Sequence, residues 1–222
     1  MITYKEFFLK EGTIVPDERA LSFVVHVLDD AKEDIEQGMN PRTVLARINS
    51  SLRMVGMGVM ELPKRPHGTP QAICTDSGAI ILDLRTVVDY VEGDSPNKEQ
   101  KLRAIIGHEM VHREQERRKK LNQRYVPKQS EYKDYAQYKN DRDELNAWAY
   151  EFANYILTLA KQRKFNKNQT LTFAFNNLKH PAAKKEMDKL TKYLTPENKK
   201  KAYKYVYDIV SSTFDKQIGT KI

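Results

Sequence analysis

A single cysteine, Cys74, stands in a chain of 222 residues. One thiol forms no internal disulfide, so the fold must rest on a packed core, and the chain suits a reducing compartment. At this length a sizeable core needs no covalent staples. No apolar run approaches the roughly 20 residues that a membrane-crossing helix requires. The first ten residues lack the apolar centre of a signal peptide. A cytoplasmic location is therefore expected. Histidine is scarce as well, with five residues in all, so two of them at a meaningful spacing carry information.

What the chain does have is charge, unevenly placed. Residues 160–222 hold 15 Lys and Arg against 5 Asp and Glu, whereas the first 159 residues hold 23 against 25. The whole positive excess therefore sits in the C-terminal segment. Such a block is most often the wet face of a helix. It also suits weak, non-specific attraction to nucleic acid or to an acidic partner.

Helical spacing of apolar residues dominates the chain. A short helix is expected over residues 3–10. A longer one starts at Pro16-Asp17-Glu18, with Leu21, Val24, Val25, Leu28, Ala31 and Ile35 on one face and Gly38 as its stop. His26 within it reads as a packed or surface histidine. A second helix follows Asn40-Pro41 and turns Val44, Leu45, Ile48, Leu52 and Val55 inward. Beyond Gly56 the pattern becomes strand-like at 59–62, then a loop at 64–70 in which His67 is a surface residue. Residues 72–75 and 79–82, separated by Asp76-Ser77-Gly78, carry a β-hairpin signal, with Cys74 as a small buried hydrophobe. Val87, Val88 and Val91 then lead to Gly93.

Asp94-Ser95-Pro96 opens a central helix, with Ser95 as its expected N-cap and Leu102, Ile105, Ile106 and Met110 as its buried side. Its charged end, from Arg113 to Lys120, should run out to solvent. Tyr132, Tyr135 and Tyr138 recur at three-residue spacing, suited to packing over the core or to offering a hydroxyl to a developing oxyanion. Helical pattern returns from Asp141. The basic segment ends in a stretch with Tyr203, Val206, Ile209, Val210 and Phe214 at helical spacing, so it is expected to fold. His180, before Pro181, reads as a loop histidine.

The central helix contains His108-Glu109-Met110-Val111-His112. Residues four apart lie on one helical face, roughly 5–6 Å apart at Cβ. Two imidazoles at that spacing can converge on one zinc ion, and Glu109 stands beside them, able to take a proton from an attacking water. A catalytic zinc usually has three protein ligands. The metzincin pattern would put glycine and histidine where this chain has Gln115 and Arg118, which excludes that class. A glutamate from a second helix is the other source. Glu144 is the foremost candidate, followed by Glu151 and Asp143, with Glu131 a further one if the tyrosine-rich segment folds over the site.

Residues 78–82, 103–112 and 144–149 together resemble the gluzincin group of zincin metallopeptidases, most of all the ImmA/IrrE-type peptidases. The short, basic-flanked opening resembles those of phage proteins. The resemblance spans residues 72–155 and implies His108, His112 and Glu144 as zinc ligands with Glu109 as general base. Val111 departs from the glycine usual in that family, and Trp148 stands where thermolysin-like enzymes place an aspartate. The expected fold is α+β and predominantly helical, with a small sheet packed on the central helix. Its expected divisions are an N-terminal helical scaffold (1–55), a zincin-like core (56–160) and a basic helical segment (161–222). The expected function is zinc-dependent hydrolysis of peptide bonds in a protein or peptide substrate, one zinc per chain, with the substrate paired to an edge strand at 79–84. The competing expectation is a non-catalytic binding or structural protein whose metal site is structural or vestigial and whose basic segment meets nucleic acid or an acidic partner.

Overall fold

A computed structural model describes residues 14, 16–64, 70–122, 135–176 and 181–219. The fold is α+β and predominantly helical, with one three-stranded sheet among the described residues. The chain divides into two compact units, Pro16–Lys128 and Gln129–Ile222 with Met1–Val15. No helix among the described residues is long and apolar enough to cross a membrane.

The first unit begins with α1 (Glu18–Glu36) and α2 (Pro41–Arg53). Each starts on a side chain that accepts from the first turn: Asp17 Oδ1 from Arg19 N and Asn40 Oδ1 from Arg42 N, both at 2.9 Å. Gly38 ends α1 at φ 83°, a left-handed conformation that glycine adopts without a Cβ clash. The stripes Leu21, Val24, Leu28 and Val44, Ile48, Leu52 are buried, and the two helices pack on each other. The strands are β1 (Met57–Met60), β2 (Ala72–Cys74) and β3 (Ile80–Asp83), in the order β1-β3-β2. β1 and β3 run parallel with Val59 opposite Leu82, whereas β2 and β3 form the expected antiparallel hairpin. Residues 79–84 therefore do not form an edge strand: β3 is the centre of the sheet, flanked on both sides. Asn49 of α2 accepts the Val59 N–H of β1 at 2.8 Å, while its own amide nitrogen is held by Leu45 O at 3.3 Å.

The end of β3 is a structural knot. Asp83 caps α3 (Leu84–Glu92), accepting from Arg85 N at 2.9 Å, and its other oxygen accepts from Leu62 N at 2.9 Å. The Arg85 guanidinium grips both carboxylate oxygens at 2.8 and 3.0 Å. That grip holds the buried Asp83 carboxyl below the usual carboxylate range, against the opposing effect of burial. Val87 and Val91, given no element by the sequence pattern, are the buried face of α3 together with Tyr90. Tyr90 donates to Asp29 of α1 at 2.8 Å; burial, then this hydrogen bond, push its hydroxyl well above the usual tyrosine range.

Helix α4 (Lys98–Asn122) begins two residues after Pro96 and packs against β2, β3, α1 and α3. Arg103 ties it to α1 through Glu18 at 2.6 Å. The expected exit to solvent from Arg113 onward does not occur at once. Arg113 reaches back to donate to Val55 O at 2.9 Å, and Gln115 is buried at 6% exposure. Cys74 is half-buried on β2 and not part of the sealed core.

The second unit is wholly helical among its described residues. It comprises α5 (Tyr135–Asn140), α6 (Arg142–Gln162), α7 (Lys167–Phe175), α8 (Pro181–Thr191) and α9 (Pro196–Gly219). Its core is drawn from Leu145, Ile156, Phe173, Met187, Val206 and Ile209, so the basic segment does fold. α7 opens on a reciprocal cap: Asn166 accepts from Gln169 N and Gln169 accepts from Asn166 N, both at 2.9 Å. Asn140 joins the α5 end to the α8–α9 turn, receiving Thr195 N at 2.9 Å and donating to Tyr193 O at 2.6 Å. The expected helix at 3–10, together with His67, Glu131, Tyr132, His180 and the side chains of Tyr135 and Asp143, lies outside the described residues.

Candidate metal centre

Helix α4 places the two histidines of the motif where a solvated helix would not. Leu102, Ile106, Met110 and Val111 are buried, and they carry His108 inward to 7% exposure. Val111 occupies a fully covered position, which explains how a β-branched residue serves there: it fills core volume. His112, one turn on, is half-buried. The two rings sit edge to face, with centroids 4.7 Å apart and planes at 65°. Their Nε2 atoms approach to 3.0 Å.

The far side of His112 is also specified. Its Nδ1 lies 2.9 Å from Gln115 Oε1. An amide oxygen accepts and does not donate, so this contact favours the tautomer with the His112 proton on Nδ1, whose Nε2 lone pair faces His108. Residues 108, 112 and 115 share one helical stripe. The donor set fits zinc on simple geometry. Two nitrogens each about 2.0–2.1 Å from a tetrahedral ion stand about 3.3 Å apart, close to the separation observed. Holding the second nitrogen of a ligating imidazole fixes ring orientation and raises ligand basicity. Gln115 had entered the sequence argument only as a mismatch to the metzincin pattern. Its position three residues after His112 was the available signal.

Glu109 follows His108 directly and is half-buried. Beyond the histidines, one carboxylate of α4 is paired within the helix. Glu114 accepts from Arg117 at 2.7 and 2.8 Å and from Arg118 at 2.9 Å. These guanidinium contacts, Arg117 first, lower its carboxyl to about 2. Glu114 is thereby committed to an ion pair. Arg113 has a different task. Its side chain lies 3.6 Å from where a Cβ on Gly56 would stand and 3.7 Å from the same point on Gly78. Both glycines have positive φ, at 70° and 84°. The residue after His112 thus fastens the motif helix to the start of β1 and to the hairpin turn.

Of the remaining candidates, Glu144 stands in the first turn of α6 and Glu151 two turns later, both half-buried. The Asp143 side chain and Glu131 lie outside the described residues. His26 is exposed on α1, 3.5 Å from Asp30, as a surface histidine would be. No family model, curated protein or solved structure matches the chain.

Proposed function

We propose that the chain is a cytoplasmic zinc-dependent peptidase of the gluzincin kind, with one zinc per chain and a protein or peptide substrate. The observation that carries this reading is the approach of the two Nε2 atoms to 3.0 Å, with the His112 ring oriented from behind by Gln115. His108, His112 and Glu144 would hold the ion. Bound zinc supplies Lewis acidity, polarising a carbonyl and making water a better nucleophile near neutral pH. The work of this chain's own residues is proton transfer and orientation. Glu109 takes a proton from the attacking water and gives it to the departing amine. Gln115 keeps His112 in the tautomer that presents Nε2.

The test is Glu109→Gln, which keeps size and most hydrogen bonding but removes the base. The variant should fold, retain one zinc by elemental analysis, and lose hydrolysis of an unfolded protein or a proteome-derived peptide library by about 10²–10⁴-fold. Equal rates for zinc-loaded wild type and variant would end the hydrolytic reading and favour a structural metal site.

A further inference from the structure

The second unit contains a groove that the histidine site does not involve. It has a volume of about 560 Å³ and lies along α8 and the start of α9. Lys184, Lys185, Lys189 and Lys192 line it from the α8 side and Lys199 from α9, with Asp188 the one acidic residue of the lining. Two of these lysines are already neutralised. Lys184 pairs with Asp188 at 3.2 Å, and Lys189 with Glu186 at 2.6 Å. Lys185, Lys192 and Lys199 form no such ion pair among the described residues. Lys185 lies on α8 and Lys192 in the turn directly after it.

Uncompensated lysines on an open convex surface are simply solvated. Gathered around a groove they repel one another, and a polyanion laid between them relieves that repulsion while releasing its own counterions. A second feature narrows the class of polyanion. Tyr193 follows Lys192 directly and is 42% exposed. Its ring lies 5.1 Å from the Lys192 ammonium, and its backbone carbonyl is held by Asn140 at 2.6 Å. A positioned, accessible aromatic ring beside a basic groove is the pairing by which proteins take up single-stranded nucleic acid, stacking bases while lysines follow the phosphates. An acidic protein surface would use the lysines and leave the ring idle.

We propose that this groove binds the phosphate backbone of single-stranded nucleic acid without sequence preference, and that Tyr193 offers its ring to a base. The test uses the full chain and a fluorescently labelled single-stranded DNA of about 12 nucleotides, with anisotropy measured across a salt series. Binding should be saturable at low salt and weaken steeply as salt rises. The double variant Lys185→Glu/Lys192→Glu should bind at least about tenfold more weakly, with its log–log salt slope shallower by about 1.4, at roughly 0.7 per lost phosphate contact. Lys161→Glu/Lys164→Glu changes net charge equally outside the groove and should bind within about twofold of wild type. Tyr193→Leu should cost about fivefold while leaving the salt slope unchanged. Equal losses in the two double variants would overturn the groove as the site. Displacement of the DNA by poly-glutamate at equal charge concentration would overturn the nucleic-acid assignment in favour of an acidic protein.

Discussion

The two units solve different problems with the same helix-rich composition. Pro16–Lys128 joins segments distant in sequence: β1 pairs in parallel with β3 across more than twenty residues, and Asp83 grips Leu62 from the far end of that sheet. The helices of Gln129–Ile222 combine local devices, such as the Asn166–Gln169 cap and the Lys184–Asp188 and Lys204–Asp208 pairs one turn apart, with longer ties from Asn140 to Tyr193 and Thr195. The lesson concerns where precision is needed. A pair of imidazoles meeting at 3.0 Å needs its helix anchored on several sides, and Arg103, Arg113 and the sheet provide the anchors. A groove that gathers phosphates tolerates looser placement, because charge acts over several ångströms.

The comparison breaks first at the histidines. His108→Ala or His112→Ala should take zinc content from about one equivalent to none, by elemental analysis of purified protein. A full equivalent retained in either variant would remove the pair from the metal site. Glu144→Ala should weaken zinc binding far more than Glu151→Ala; equal retention in both would send the search for a third ligand to Glu131 and His67. One step further out, Gln115→Leu should lower zinc affinity about 10–100-fold, with Gln115→Glu recovering most of it. In the zinc-free protein the same leucine variant should shift the His112 ¹⁵N resonances away from an Nδ1-protonated tautomer, which a purely structural role for Gln115 would not do.

Smaller effects separate the units by their response to pH. Asp83→Asn weakens a buried, charge-assisted knot and should cost about 1–3 kcal/mol near neutral pH. The folded carboxyl lies below its unfolded value of about 3.9, so its stabilisation is present above that pH. It is lost as pH falls through the lower folded value. Denaturant melts of wild type and variant should therefore converge in strong acid. A gap that stayed constant to pH 2 would show that the ion pair is not its source. Asn166→Ala should cost about 1 kcal/mol through the lost cap of α7, with no comparable convergence in acid, since its partners are backbone and amide groups. A cost below about 0.3 kcal/mol would mean that the reciprocal cap adds little to the second unit.

Much of this architecture is legible in the sequence because it is written locally. Asn40-Pro41 announces a helix start, Gly38 a stop, and Asp76-Ser77-Gly78 a hairpin turn; each acts within a few residues. The spacing of His108 and His112 belongs to the same category, and so does the α+β class. What could not be read is what depends on pairing at a distance. The parallel β1–β3 ladder puts residues 79–84 in the middle of the sheet, and no local pattern separates a central strand from an edge in so short a run. Helix α3 went unassigned because its cap, Asp83, doubles as the last residue of a strand. The inward turn of Arg113 and Gln115 was hidden by composition. Both belong to a charged stretch, and the carbonyl of Val55 and the ring of His112 give them a reason to face the protein.

The contact between Asn49 and β1 has a consequence for how copies of this molecule behave when crowded. A strand at the border of a sheet is an open template, ready to recruit another chain and begin a ladder that never closes. Here a side-chain amide from α2 occupies the Val59 N–H at 2.8 Å and is itself tethered by Leu45, so it cannot swing aside at no cost. An incoming strand would have to displace it before its own first hydrogen bond formed there. One asparagine on a neighbouring helix thus acts as a stopper against runaway self-association, at a border whose exposed Met60 would otherwise invite it.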